Sequence, residues 1–159
     1  MPDSTDQRQL SADERFMRLA IAQARIAEQN GEVPVGAVLV RDGQVIASGA
    51  NAVIRSHDPT AHAEIVALRE GASLLRNYRL EGASMYVTLE PCAMCAGALV
   101  QARVQRLVFG ARDLRFGGVR AKFRIADSDL LNHRVEVTEG VLGAECLELL
   151  KAFFAAKRD

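Results

Sequence analysis

The chain has 159 residues, with 20 Lys or Arg balancing 20 Asp or Glu, and 49% of it is hydrophobic. That length suits one domain with a full core, and a zero net charge argues against a strongly basic nucleic-acid binder. The 3 cysteines are too few and too oddly numbered for a secreted disulfide framework.

Met1 to Leu10 is polar and acidic and reads as a disordered tail (1–10), leaving 11–159 as a single domain. No basic-then-apolar leader stands there, and the longest apolar runs, such as Ala93 to Val100, fall far short of a bilayer, so a cytoplasmic protein without a membrane span is expected. Ser11-Ala12-Asp13-Glu14 reads as a capping box opening a helix, which Phe16, Leu19, Ala20, Ala24 and Ala27 continue at helical spacing until Asn30-Gly31. Val35 to Val40 and Gln44 to Ala50 form a hairpin about Asp42-Gly43. A polar loop, Asn51 to Thr60, leads into a helix expected from near Thr60 to about Leu75.

Ser84 to Leu89 reads as a strand, and Pro91 suits the first turn of a helix over Ala93 to Ala102. Arg106 to Gly110 is a further strand, Ala111 to Ile125 a loop rich in Gly and Arg, Arg134 to Thr138 a strand and Gly143 to Ala156 a closing helix. Strands alternating with helices imply a three-layer α/β/α domain around a mixed sheet of about five strands. From Arg103 to Arg124, seven basic residues face one acid, Asp113, a run that suits either a solvated face or a phosphate-contacting edge.

Two motifs carry the chemistry. Thr60-Ala61-His62-Ala63-Glu64 supplies a His-x-Glu and Pro91-Cys92-Ala93-Met94-Cys95 a Pro-Cys-x-x-Cys, giving three zinc-type ligands and one uncommitted carboxylate. A structural zinc site closes with four protein ligands, whereas a catalytic one keeps a position for water beside a general base. Cys92 and Cys95 stand on one side of a helix start, where the helix dipole favours thiolates. A redox Cys-x-x-Cys is the main competitor, and the upstream His-x-Glu weighs against it. Cys146 shares helical spacing with Leu142, Leu149, Leu150 and Phe153 and reads as a core thiol; His57 and His133 read as loop histidines with local hydrogen bonds. Glu64, two residues from a ligand, reads as the proton-transferring base, and backbone N–H groups near Ala63 and Cys92 are placed to orient water and leaving group. These parts suit hydrolytic removal of an amino group from an electron-poor carbon.

His-x-Glu followed by Pro-Cys-x-x-Cys resembles the signature of the zinc-dependent nucleobase deaminases, the cytidine and deoxycytidylate deaminase superfamily. More narrowly, the stretches Glu32 to Val38, His57 to Glu64, Asn77 to Leu80, Tyr86 to Ala98 and Asn132 to Val135 are similar to those of the tRNA-specific adenosine deaminases. The resemblance implies conversion of adenosine to inosine at the anticodon wobble position of a tRNA by a homodimer holding one Zn2+ per subunit. It makes His62, Cys92 and Cys95 the ligands and Glu64 the proton shuttle. It places Asn51 on the flipped base, Val33 and Pro34 in the pocket wall, and Asp113 near the target nucleotide; read alone, Asn51 and Asp113 are turn residues and Val33 and Pro34 a strand entry. It also brings Phe153 and Phe154, with Lys157 and Arg158, near the anticodon loop, with one of the two rings expected in the core.

After Asp113 the chain departs from the family's pattern of a lysine two positions on and then Gly-Ala-x-Gly-Ser. Here Arg115 keeps the charge, but Arg120 and Ala121 replace the small polar end. The metal motif alone equally suits a deaminase of a free base or nucleoside such as cytosine, guanine or cytidine. A noncatalytic zinc module that binds nucleic acid is the reading from another class, and it requires a closed fourth ligand.

Overall fold

The computed structural model describes residues 4–158. Helix α1 (Ser4–Gln29) is followed by strands β1 (Gly36–Arg41) and β2 (Gln44–Ala50), helix α2 (Ala63–Leu75), strand β3 (Ser84–Leu89), helix α3 (Ala93–Gln101), strands β4 (Arg106–Ala111) and β5 (Glu136–Glu139), and helix α4 (Gly143–Arg158). The strands form one sheet in the order β2-β1-β3-β4-β5. β1 pairs antiparallel with both β2 and β3, whereas β3–β4 and β4–β5 are parallel. One apolar cluster packs α2 and α3 on one face of the sheet, through Ala67, Leu68, Leu99 and Val100 against Leu39, Met85 and Phe109. A second packs α1 and α4 on the other, through Phe16, Ile21 and Cys146 against Val38, Tyr86 and Val108. The expected three-layer α/β/α arrangement around a five-stranded mixed sheet is therefore present.

Three sequence expectations are corrected. α1 starts at Ser4 and not at Ser11, so residues 4–10 are helical where a disordered tail was expected; residues 1–3 of that tail lie outside the described residues. Asp13 does not cap. Its carboxylate is 1% exposed in the middle of α1 and receives both ends of the Arg106 guanidinium, each at 2.8 Å, and the Tyr86 hydroxyl at 2.8 Å. The buried stripe of α1 is Phe16, Met17, Ala20, Ile21, Ala24 and Ala27, and Leu19 falls outside it at 44% exposure.

The basic run is mostly consumed inside the protein. Arg106 pairs with Asp13, Arg112 with Glu139, and both Arg120 and Arg124 with Asp127. The acids that answer these arginines lie outside the Arg103–Arg124 window, which is why the window alone gives a false excess. Arg120, which replaces a small residue of the family pattern, makes a two-pronged bond to Asp127 at 3.0 Å on each prong and also donates to Val119 O. It braces the loop.

Candidate active site

The C-terminal ends of the parallel strands β3 and β4 face the N-termini of α2 and α3, and the two chemical motifs sit at those helix starts. α2 begins at Ala63, later than the expected Thr60, so His62 becomes its N-cap residue; Cys92 is the N-cap of α3, and Pro91 precedes that cap. Both caps have extended backbones, and neither side chain bonds back to its own helix. Where Ser or Asp would turn inward to cap, these side chains turn outward toward each other. Gly49 permits the approach of α2: a Cβ there would overlap Ala63 O, so the strand lies directly beneath the helix start.

His62 Nδ1 lies 3.6 Å from Cys92 Sγ and 3.4 Å from Cys95 Sγ. Ligand bonds of about 2.0–2.3 Å in a tetrahedron require donor separations of roughly 3.5 Å, so the triad matches the edge of a zinc site. Among the described residues this is the one cluster of His, Cys, Asp and Glu suited to a metal ion. Cys146 is 1% exposed on the opposite face of the sheet, and His133 contacts Val104 O at 2.8 Å; neither closes the site. Three ligands without a fourth are the pattern of a catalytic centre.

The protons are distributed to suit metal uptake. A hydrogen bond from Cys95, with help from His62, holds the Cys92 thiol down at about 4, and its thiolate pushes His62 upward. Cys95 is driven upward by donating that bond and by burial, and it gives up its proton when a metal binds. Glu64 is 3% exposed, and burial lifts its carboxyl to about 6 against the lowering effect of a backbone hydrogen bond and of His62.

A cavity of about 280 Å³ is lined by Val33, Val35, Asn51, His62, Glu64, Leu89, Glu90, Cys92, Asp113 and Phe116. Of the expected site residues it gathers Val33, Asn51, His62, Glu64, Cys92 and Asp113; Cys95 sits behind Cys92, fully buried. Pro34 and Ala63 are buried outside this lining. The Ala63 N–H donates to Asn51 Oδ1 at 3.2 Å, so it orients the asparagine carboxamide and leaves the amide nitrogen to donate elsewhere. Arg115 and Phe154 line an adjoining groove of about 720 Å³, which shares Val33, Leu89, Asp113 and Phe116 with the cavity. Neither ring of the Phe153–Phe154 pair is in the core: they stack edge to face at 5.3 Å, Phe153 is partly buried and Phe154 is 45% exposed.

Residues 10–111 match the family pattern of the cytidine and deoxycytidylate deaminase zinc-binding region. The chain belongs to this family of zinc-dependent deaminases. It is 51% identical over 148 residues to the tRNA-specific adenosine deaminase of Haemophilus influenzae, an alignment that covers 92% of this chain and 86% of that one. It superposes with a TM-score of 0.83 and 45% identity on a structure from a study of A-to-I editing by tRNA:A34 deaminases at the wobble position of transfer RNA, covering 86% of this chain and 99% of that chain. The guanine deaminase of Nitrosomonas europaea gives a TM-score of 0.78 at 26% identity, with 89% and 84% covered. Zinc is the cofactor of this deaminase family, and the donor set fits it.

Two buried carboxylates of the deaminase site lay unassigned in the sequence. Glu32 and Glu90 are each 2% exposed. Glu32 accepts the backbone N–H groups of Ile54 and Arg55 at 3.0 and 2.9 Å, pinning the loop that leads to His62. Glu90 does the same for the loop after β4. Both stood inside recognisable stretches, but a carboxylate that binds backbone amides leaves no residue-type signal in its partners.

Proposed function

We propose that this deaminase converts adenosine to inosine at the wobble position of a tRNA anticodon, acting as a cytoplasmic homodimer on the anticodon stem-loop. Adenosine and water become inosine and ammonia: a C–O bond forms at C6 of the base and the C–N bond to the amino group breaks. Bound zinc supplies Lewis-acid activation of the attacking water at neutral pH. His62, Cys92 and Cys95 would hold it, and two of the three, His62 and Cys92, line the cavity.

Glu64 accepts one proton of the water on its buried carboxylate and passes it to the ring nitrogen, then takes the second from the newly attached hydroxyl and passes it to the departing amine. A carboxyl lifted to about 6 by burial exchanges protons readily near neutral pH. Asn51, fixed through its oxygen, donates from its amide nitrogen to an acceptor edge of the base. Val33 and Phe116 flank the base with apolar surface, and a site of about 280 Å³ suits a single flipped base.

The observation that carries the tRNA reading is the groove continuous with the cavity. At about 720 Å³, with Phe116 and Phe154 for stacking and Arg115 and Lys151 for phosphates, it has room for nucleotides flanking the target, which a free base does not use. Homodimerisation rests on the family resemblance, and the cytoplasmic setting on the cysteine usage of the sequence. An assay of an anticodon stem-loop carrying wobble adenosine beside free adenosine, cytidine and guanine is decisive. Inosine is expected in the stem-loop alone; turnover of only the free compounds overturns the reading, and no turnover of any substrate by zinc-loaded protein favours a noncatalytic zinc module. Phe154→Ala is expected to raise KM for the stem-loop by roughly tenfold through one lost stacking contact, and an unchanged KM would remove Phe154 from the RNA path.

A further inference from the structure

Glu90 lies two residues before the ligand Cys92, and its side chain is 2% exposed. Its hydrogen bonds reach one loop from both ends. Oε1 accepts the Asp113 N–H at 3.1 Å, while Oε2 accepts those of Val119, Arg120 and Ala121 at 3.1, 2.7 and 3.0 Å. The middle of the loop lies against the metal-site helix: the Gly118 N–H donates to Pro91 O at 2.8 Å, and Gly117 forms an isolated bridge with Cys92. Between the clamps, Asp113 Oδ1 accepts the N–H groups of Arg115 and Phe116 at 3.1 Å each, closing the turn from which Asp113 and Phe116 enter the cavity lining.

We propose that Glu90 is the positioning residue of the substrate pocket: by gathering the backbone of residues 113–121 it holds Asp113 and Phe116 in place as the outer wall against which the target nucleotide sits. A buried carboxylate that loses its donors is strongly disfavoured, so the loop has one conformation that satisfies it. Glu90 recognises backbone and not side chains, so its grip is indifferent to the replacement of the family's small polar residues by Arg120 and Ala121. The divergent loop can therefore keep its course while its exposed chemistry changes. The pocket wall is thus tied to the same three-residue step, Glu90-Pro91-Cys92, that delivers a metal ligand.

This assignment rests on the deaminase reading above for its kinetic arm. The test compares zinc-loaded full-length protein with Glu90→Gln, which keeps the volume but sets an NH2 donor among N–H donors, and with Gly117→Ala, whose Cβ would overlap both the Glu90 carboxylate and Asp113 O and so force the loop and the carboxylate apart while keeping the carboxylate in the chain. Bound zinc, kcat and KM on the stem-loop, and amide hydrogen exchange of residues 113–121 are measured. For both variants the expected result is zinc and kcat close to wild type, KM raised roughly tenfold, and exchange in 113–121 accelerated by about tenfold or more. Unchanged KM and unchanged exchange overturn the proposal. So does a joint fall of zinc and kcat at constant KM, which makes Glu90 a support of the metal site. If Glu90→Gln does not fold, Gly117→Ala decides by the same criteria. If the wild-type protein does not turn over the stem-loop, the functional reading fails, whereas the exchange arm needs no substrate and still decides the clamp.

Discussion

Glu64→Gln is expected to lower kcat on the stem-loop by about 10²–10⁴-fold, the range that a positioned acid–base group contributes, while zinc content stays at one ion per chain. The reasoning separates the two roles that the site could confuse. Glu64 is not one of the three donors whose atoms cluster, so its removal leaves the ligand set intact. Its carboxyl is buried at the start of α2 and lines the cavity, and no other carboxyl in that lining is free to substitute: Glu90 is engaged by four backbone N–H groups, and Asp113 by two. Gln matches Glu in size and accepts hydrogen bonds but cannot carry a proton between water and base. KM should therefore change little while kcat collapses. Metal analysis beside the kinetics checks the assignment; a variant retaining more than about a tenth of wild-type kcat would remove Glu64 from the proton path.

The parts of this site that were legible in the sequence are those where residue type and short spacing carry the chemistry. His62, Glu64, Cys92 and Cys95 belong to two motifs of three and five residues, and both motifs sit at helix starts that the local propensities already mark. β3 falls on its expected bounds because the run Ser84 to Leu89 is apolar and closed by Pro91. What was not legible depends on partners far along the chain. Asp13 reads locally as an interior residue of a capping box, and its true partner Arg106 is 93 residues away. The arginine run reads as a positive edge until Asp13, Asp127 and Glu139 come in from other elements. Glu32 and Glu90 bind amides, which every residue has, so no pairing of residue types could have exposed them.

Asp13→Ala is expected to destabilise the protein by about 3–5 kcal/mol, since it strands the Arg106 guanidinium, whose side chain is 15% exposed, without its carboxylate. For a domain of this length the loss corresponds to a drop in Tm of roughly 10 °C. The pH dependence gives an independent check. Burial works against ionisation of Asp13, but the hydrogen bonds from Arg106 and Tyr86 outweigh it and hold the carboxyl below its ordinary value of 3.8. A carboxyl depressed in the folded state stabilises that state fully above the unfolded value and loses the contribution as pH falls through the folded one. The gap in Tm between wild type and Asp13→Ala should accordingly be constant from about pH 5 to 8 and close below about pH 4. Arg106 opens β4, whereas the cavity lies at the other end of the parallel strands, so residual folded Asp13→Ala should keep wild-type kcat at low temperature. Replacing both partners, as Asp13→Leu with Arg106→Met, should recover part of the loss because no unpaired buried charge remains. A gap that persisted unchanged into strong acid would mean that the helix, and not the ion pair, had been damaged.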